Sequence, residues 1–211
     1  MDKLEEETRE QSRCKQWIKA RQYRLTASRF GEIMKCTNAR NMDKFCKSLH
    51  SPHILSTPAI VHGNTYENLA KEVFEKKTGK KVQKCGLIVD LTNPFLAATP
   101  DGIVEGENSI IEVKCPYNGR NEQITAGHNF SFLKLNEQGQ IQLKRDHNYF
   151  FQVMGQLGVS KKTHCYFIVY TFVDCYIEKI SFDQSFYDTE MVPSLKTFFD
   201  NHYKPFLMKV F

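Results

Sequence analysis

The chain has 211 residues, 41% of them hydrophobic and 12% aromatic, which is enough to bury a core and unlike a disordered chain. Lys and Arg number 29 against 24 Asp and Glu, a mild excess that permits a polyanionic partner without requiring one. No apolar run approaches the roughly 20 residues that a membrane-spanning helix needs.

The start, MDKLEEETREQSR, is charged throughout and reads as neither signal peptide nor lipid anchor. Seven cysteines at irregular spacing, without a Cys-x-x-Cys pair, suit neither a disulfide framework nor a zinc site. They read as reduced thiols of an intracellular protein. No repeat, low-complexity tract or Pro/Gly/Ser linker divides residues 1–211, so one domain is expected.

In chain order, residues 3–22 are rich in helix formers and free of Gly and Pro, with Trp17, Ile18 and Arg21 at helix-face spacing, which predicts a helix. Thr26 is placed to cap a second, short helix through SRFGEIMKC. The stretch from Thr37 to Pro58 is polar and broken by prolines, with room for a short helix at DKFCKSLH. A long helix is predicted from about Thr57 to Lys77, with Ile60, Ala70, Val73 and Phe74 on one side and Gly79 as its stop.

Then the period changes. VQKCGLIVDL, FLAATPDGIV and SIIEVKCPY are apolar or β-branched runs separated by turn residues, which predicts a meander of strands. FSFLKLNEQGQIQLK predicts a hairpin turning at Glu137 to Gly139, and NYFFQVMGQLGVS a buried helix. Strands at THCYFIVYTF and CYIEKISF follow, then a helix from about Phe186 to Leu207. This order indicates an α/β or α+β core with a mixed sheet flanked by helices.

The stretch TPDGIVEGENSIIEVKCP carries the chemistry. A Pro-Asp-Gly turn puts Asp101 at a strand end, and the next strand carries Glu112 and Lys114, which two-residue alternation sends to the same side. A hairpin can fold Asp101 back beside them. Two carboxylates and an ammonium on one face suit magnesium or manganese, and such an ion can activate water and stabilise charge on a phosphate. Ile110, Ile111, Val113 and Cys115 make both faces of this strand otherwise apolar, so Glu112 and Lys114 must be paired or bound to something. A plain Glu–Lys ion pair meets the same requirement.

With these residues in place, the chain resembles the YqaJ-type, lambda-exonuclease-like branch of the PD-(D/E)XK nuclease superfamily. Asp101, Glu112 and Lys114 match its core signature. WIKARQYRLTAS, HGNTYENLAKEVFEKKTG and YFFQVMGQLGVS are similar to its Trp…Arg…Thr-Ala-Ser motif, its Gly-x-x-Tyr-Glu-Asn helix and its Tyr-x-x-Gln-Val helix, in the same order.

The resemblance implies a restriction-endonuclease-like core with one or two Mg2+ or Mn2+ ions held by Asp101, Glu112, the Val113 carbonyl and Glu67. It makes Lys114 the catalytic lysine and brings Gln152 and Tyr149 to the active site. Arg21 and Ser28 would receive a terminal 5′-phosphate, an anion that an Arg fork and a hydroxyl near a helix start bind well. Arg24 is a further DNA-binding candidate, although it does not fall on the family's Arg position. Ile60 takes the position of an apolar wedge between strands.

The implied activity is exonucleolytic digestion of one strand of duplex DNA with free ends, in recombination or repair. The implied partners are that DNA and a single-strand annealing or recombination protein, with no membrane. An oligomer is compatible with the resemblance, but no segment identifies an interface. The same core also serves structure-specific endonucleases, which would cut a covalently closed circle, and it could persist as a catalytically silent DNA-binding module. No Walker-type loop is present, so ATP use is not indicated, and none of the seven histidines stands in triad or zinc spacing.

Overall fold

The computed structural model describes residues 3–37, 39–51 and 57–210. The helix expected over residues 3–22 is broken into α1 (Lys3–Glu7), a 3-10 turn at Gln11–Arg13 and α2 (Lys15–Arg21). Long-range bonds to residues 85–87 break it. The buried Glu5 accepts from the Gly86 amide at 2.9 Å, and Thr8 Oγ1 accepts from the Leu87 amide at 2.8 Å. Gln11 takes a positive φ of 47° and donates its side-chain amide to the Cys85 carbonyl at 2.9 Å. These contacts outweigh intrinsic helix propensity, which is worth only tenths of a kcal/mol per residue.

Strand β1 (Leu25–Thr26) leads through a 3-10 turn into α3 (Phe30–Met34), and α4 (Met42–His50) follows, capped by the Asn41 side chain. Thr26 holds the cap position ahead of the turn, but its hydroxyl makes no capping bond. The long helix α5 (Pro58–Thr78) has the Thr57 side chain at its start and stops at Gly79, whose φ of 70° suits a residue without Cβ. It buries Ala70 and Phe74, whereas Ile60 in its first turn is exposed rather than on the buried side expected for it.

The runs expected as one meander are dealt to two sheets. The strands are β2 (Val82–Gln83), β3 (Ile88–Val89), β4 (Leu96–Ala98), β5 (Gly102–Val104) and β6 (Ser109–Lys114). Next come the hairpin β7 (Leu133–Leu135) and β8 (Ile141–Leu143), helix α6 (Asn148–Ser160), β9 (His164–Tyr170) and β10 (Cys175–Ser181). Residues 184–210 are helical as α7 (Gln184–Phe186), α8 (Val192–Phe198) and α9 (Lys204–Val210), joined by π turns at Tyr187–Met191 and Phe199–Tyr203. Among the described residues no helix is long and apolar enough to cross a membrane.

The main sheet has the order β10-β9-β6-β5-β2, with β6 parallel to β9 and the other pairs antiparallel. The second sheet has the order β1-β4-β3. The chain leaves β4 for β5, and one sheet for the other, across Thr99, Pro100 and Asp101. Pro100 has no N–H to give a ladder and fits such a crossing.

Alternation along β6 divides the core. Ile110 packs with α3, α6 and the C-terminal helices, while Ile111 and Val113 pack with Ala70 and Phe74 of α5. Helix α6 approaches closely because it carries glycine at 155, where a Cβ would run into the Phe30 ring. Substituting Gly155→Ala is therefore expected to lower unfolding stability in denaturant by about 1–3 kcal/mol. The same change at Gly63, where an added Cβ meets nothing within 4 Å, is expected to raise it by about 0.5–1 kcal/mol. Equal effects at the two positions would contradict this account of the α3–α6 contact.

Candidate functional site

Strand β6 sends Glu112 toward α6, and there three donors enclose it. Lys114 Nζ and Gln152 Nε2 donate to its Oε1 at 2.5 and 2.6 Å, and Gln156 Nε2 donates to Oε2 at 2.6 Å. Glu112 is only 2% exposed, so these bonds take the place of hydration that a buried carboxylate cannot do without. Lys114 also donates to Gln152 Oε1 at 3.2 Å and lies 4.4 Å from the centre of the Tyr149 ring. The structure thus contains the Glu112–Lys114 pair that the two-residue spacing allows, within a larger network.

Asp101 sits at the crossing between the sheets. Its amide donates to the Ile111 carbonyl at 3.2 Å, and its Oδ2 accepts from the Val113 amide at 2.6 Å. The N–H and C=O of one strand residue leave by the same edge, so the Val113 carbonyl faces the Asp101 side. Glu67 reaches in from α5 and pairs with Lys71 at 2.6 Å, one helical turn on. Asp101, Glu112, Val113, Lys114, Glu67 and Tyr149 all line one cavity of about 360 Å3.

The charges in this cavity are strained against one another. Burial, followed by the nearby Glu112 and Glu67 carboxylates, holds the Asp101 carboxyl well above the usual aspartate range. Burial alone would lower Lys114, but Glu112 and Asp101 beside it carry its ammonium above the ordinary lysine value. Among the described residues no three His, Cys, Asp or Glu side chains are drawn together as a closed ligand cluster. The donor chemistry nonetheless fits a hard divalent cation: carboxylate and carbonyl oxygens from three elements, with mutual repulsion that such an ion relieves.

Arg21 and Ser28 meet in a different cavity, of about 500 Å3, with Trp17, Thr26 and Arg29 in its wall. The Arg21 guanidinium stacks 4.0 Å from the centre of the Trp17 ring, and burial followed by the charge of Arg29 brings its pKa down to about 10. Arg29 itself is paired with Glu32 at 2.6 Å. Trp17 Nε1 donates to Thr99 Oγ1 at 3.1 Å, which ties this cavity to the segment that carries Asp101.

A third depression, of about 390 Å3, joins the other two. It shares Asn64, Glu67 and Asp101 with the first and Ser12 with the second, and it carries Arg9, Arg13, Lys71 and Lys84. Arg24 is not brought to any of these walls. Its Nε and Nη1 donate to the Pro94 and Ala20 carbonyls at 3.0 and 2.7 Å. Tyr149, which the resemblance brings to the active site, lines the cavity that holds the carboxylates.

Sequence reasoning missed Gln156. It is 1% exposed, bonds Glu112, and leaves its own Oε1 without a partner. Its spacing of four from Gln152 places both amides on one helix face, and that was the available signal.

The YqaJ-like viral recombinase domain model matches residues 16–163. The chain belongs to this family. All four motif blocks, from Trp17 to Ser160, fall within the matched span. "Uncharacterized protein R354" of Acanthamoeba polyphaga mimivirus is 23% identical over 174 residues, covering 75% of this chain. The chain spans 29% of the length of that relative.

Among solved structures, the alkaline exonuclease LHK-Exo from Laribacter hongkongensis is similar with a TM-score of 0.70 and 22% identity over 91% of this chain and 94% of that one. Its complex with dAMP gives 0.71 and 24% over the same shares. A SOX–DNA complex gives 0.60 and 11% over 96% and 71%. These likenesses show that the YqaJ-family chain has the mixed α+β fold of the PD-(D/E)XK exonucleases.

Because its carboxyl is held above the usual range, Asp101 contributes stability that is present at low pH and lost as pH rises through its folded-state value. Asp101→Asn, in EDTA, should melt close to the native chain below the ordinary carboxylate pKa and increasingly above it as pH rises. A melting difference that does not grow with pH would contradict this picture of the cavity.

Proposed function

We propose that the chain is a divalent-metal-dependent deoxyribonuclease that digests one strand of duplex DNA from a 5′-phosphorylated end. The observation that carries this reading is the continuity of the three depressions. A carboxylate cavity on β6 adjoins a trough lined by Arg9, Arg13, Lys71 and Lys84 together with Glu10, and that trough adjoins a pocket where the Arg21 guanidinium has no carboxylate partner among the described residues. Family membership, and the DNA and dAMP bound by proteins of the same fold, support it.

Asp101, Glu67, Glu112 and the Val113 carbonyl would hold one or two Mg2+ or Mn2+ ions. When bound, such ions lower the pKa of coordinated water and offset the charge that gathers on the phosphate under attack. The protein's own groups do the positioning. Lys114, held by Glu112 and Gln152, places an ammonium at the phosphate and can orient the attacking water. Gln152 and Gln156 fix the Glu112 carboxylate so that it need not reorganise. Arg21 and Ser28 would seat the terminal phosphate and set the register of the strand in the cleft.

The test is a linear duplex with a 5′-phosphate and one labelled strand, incubated with Mg2+ or with EDTA. Shortening from the 5′ end is expected with Mg2+ only. Lys114→Ala should slow it by on the order of a hundredfold or more while DNA affinity changes little. A 5′-hydroxyl end should be digested more slowly, and Arg21→Ala should erase that difference. Equal rates on both ends in the native chain would remove the assignment of Arg21 and Ser28. DNA binding without cleavage in Mg2+ or Mn2+ would remove the nuclease reading.

A further inference from the structure

Rings that this chemistry leaves unused crowd the mouth of the cleft. His62, buried in α5, stands among Tyr66, Tyr117 and Phe172, with ring centroids 4.6, 5.7 and 5.5 Å away. Tyr66 and Phe172 also meet edge to face at 4.8 Å. The cluster is assembled from three places: α5, the turn after β6, and the turn between β9 and β10. The Phe172 amide donates to the Arg120 carbonyl at 2.8 Å and ties the two turns together.

The inner parts of this cluster pack as an ordinary small core, but the outer parts do not. Phe172 is 44% exposed and Tyr117 37%, and Val173, next to Phe172 in the same turn, is 52% exposed. One exposed aromatic needs no explanation, whereas a group of them marks a contact surface. The Arg120 guanidinium lies 4.1 Å from the centre of the Tyr117 ring, with Nη1 on the Tyr117 carbonyl at 2.9 Å, and among the described residues no carboxylate forms an ion pair with it.

Position and charge identify the occupant. Tyr117 belongs both to this surface and to the wall of the cavity that holds Asp101, Glu112 and Lys114, so the rings continue the cleft. On the nuclease reading a strand end enters this cavity, and nucleotides released from pairing then lie at its mouth. Parted nucleotides have lost their stacking neighbours. Rings beside a guanidinium offer such a nucleotide a stack for its base and a cation for its phosphate. An apolar protein partner would also cover the rings, but it explains neither the cation nor the continuity with the cleft.

We propose that Tyr117, Phe172 and Arg120 form a stacking site for an unpaired nucleotide of DNA opened at the cleft mouth. The inference rests on the nuclease reading for the origin of the opened DNA, but the binding itself can be measured without cleavage. The experiment is fluorescence anisotropy of a labelled short oligodeoxythymidylate in EDTA, set beside the same oligonucleotide carrying abasic sites. The proteins compared are the native chain, Phe172→Ala, Phe172→Trp, Tyr117→Ala and Arg120→Ala, each checked by thermal melting.

Phe172→Ala and Tyr117→Ala should each weaken oligothymidylate binding by on the order of tenfold. Phe172→Trp should restore it. The abasic oligonucleotide should bind weakly and be indifferent to both alanine changes, while Arg120→Ala should reduce the salt dependence of binding for either probe. Unchanged affinity in both folded alanine variants would overturn the site, as would equal loss on the abasic probe. A shift of oligomeric state in Phe172→Ala, seen by sedimentation with DNA binding intact, would make the face a protein interface and also overturn it. Base-dependent binding without metal-dependent cleavage would keep the stacking site and remove the nuclease reading; cleavage without base-dependent binding would do the reverse.

Discussion

The structure turns on a carboxylate buried in the middle of its main sheet. Glu112 lies on β6, between the parallel β9 and the antiparallel β5, where an unsatisfied charge would be prohibitively costly. Three side chains make it tolerable: Lys114 from the same strand, and Gln152 and Gln156 from α6. Much else follows from that arrangement. Helix α6 has to lie against β6 with both glutamines facing it, and the glycines at 155 and 158 let the Phe30 and Tyr187 rings seat on the helix. Asp101 has to come from the neighbouring connection, because the faces of β6 are already taken by α5 and α6.

The same geometry links two cavities of different chemistry. Asp101 is held by the Val113 amide, and two residues before it Thr99 accepts from the Trp17 indole N–H. Trp17 also carries the stacked Arg21 guanidinium. One aromatic side chain of α2 therefore touches both the pocket that holds Arg21 and the segment that carries Asp101. The break of the N-terminal stretch into α1 and α2 serves this placement, since a continuous helix over residues 3–22 would not bring both Gln11 and Trp17 onto the residues 85–101 region.

Much of this was legible from residue order. Strong, long signals are legible nearly to the residue: α6 over Asn148–Ser160, α5 from about Thr57 to the Gly79 stop, and β9 and β10 as two successive strands. The side-by-side placement of Glu112 and Lys114 follows from strand alternation alone. What was not legible depends on contacts far apart in sequence. Nothing local to Glu5, Thr8 or Gln11 announces that they bond residues 85–87, and so the break of the first helix was missed. The meander was divided between two sheets by pairing partners, β1 for β4 and β9 for β6, that lie elsewhere in the chain. The exposure of Ile60, the π turns at Tyr187–Met191 and Phe199–Tyr203, and the burial of Gln156 likewise depend on what packs nearby.

The central claim is that the strained carboxylates around β6 are a divalent-cation site. Titration of Mn2+ into the native chain and into Asp101→Ala and Glu112→Ala, followed by calorimetry and by the rise in melting temperature, tests it most directly. The account predicts saturable binding that stabilises the native chain and is lost in both folded variants. Equal Mn2+ affinity and equal stabilisation in all three proteins would contradict it.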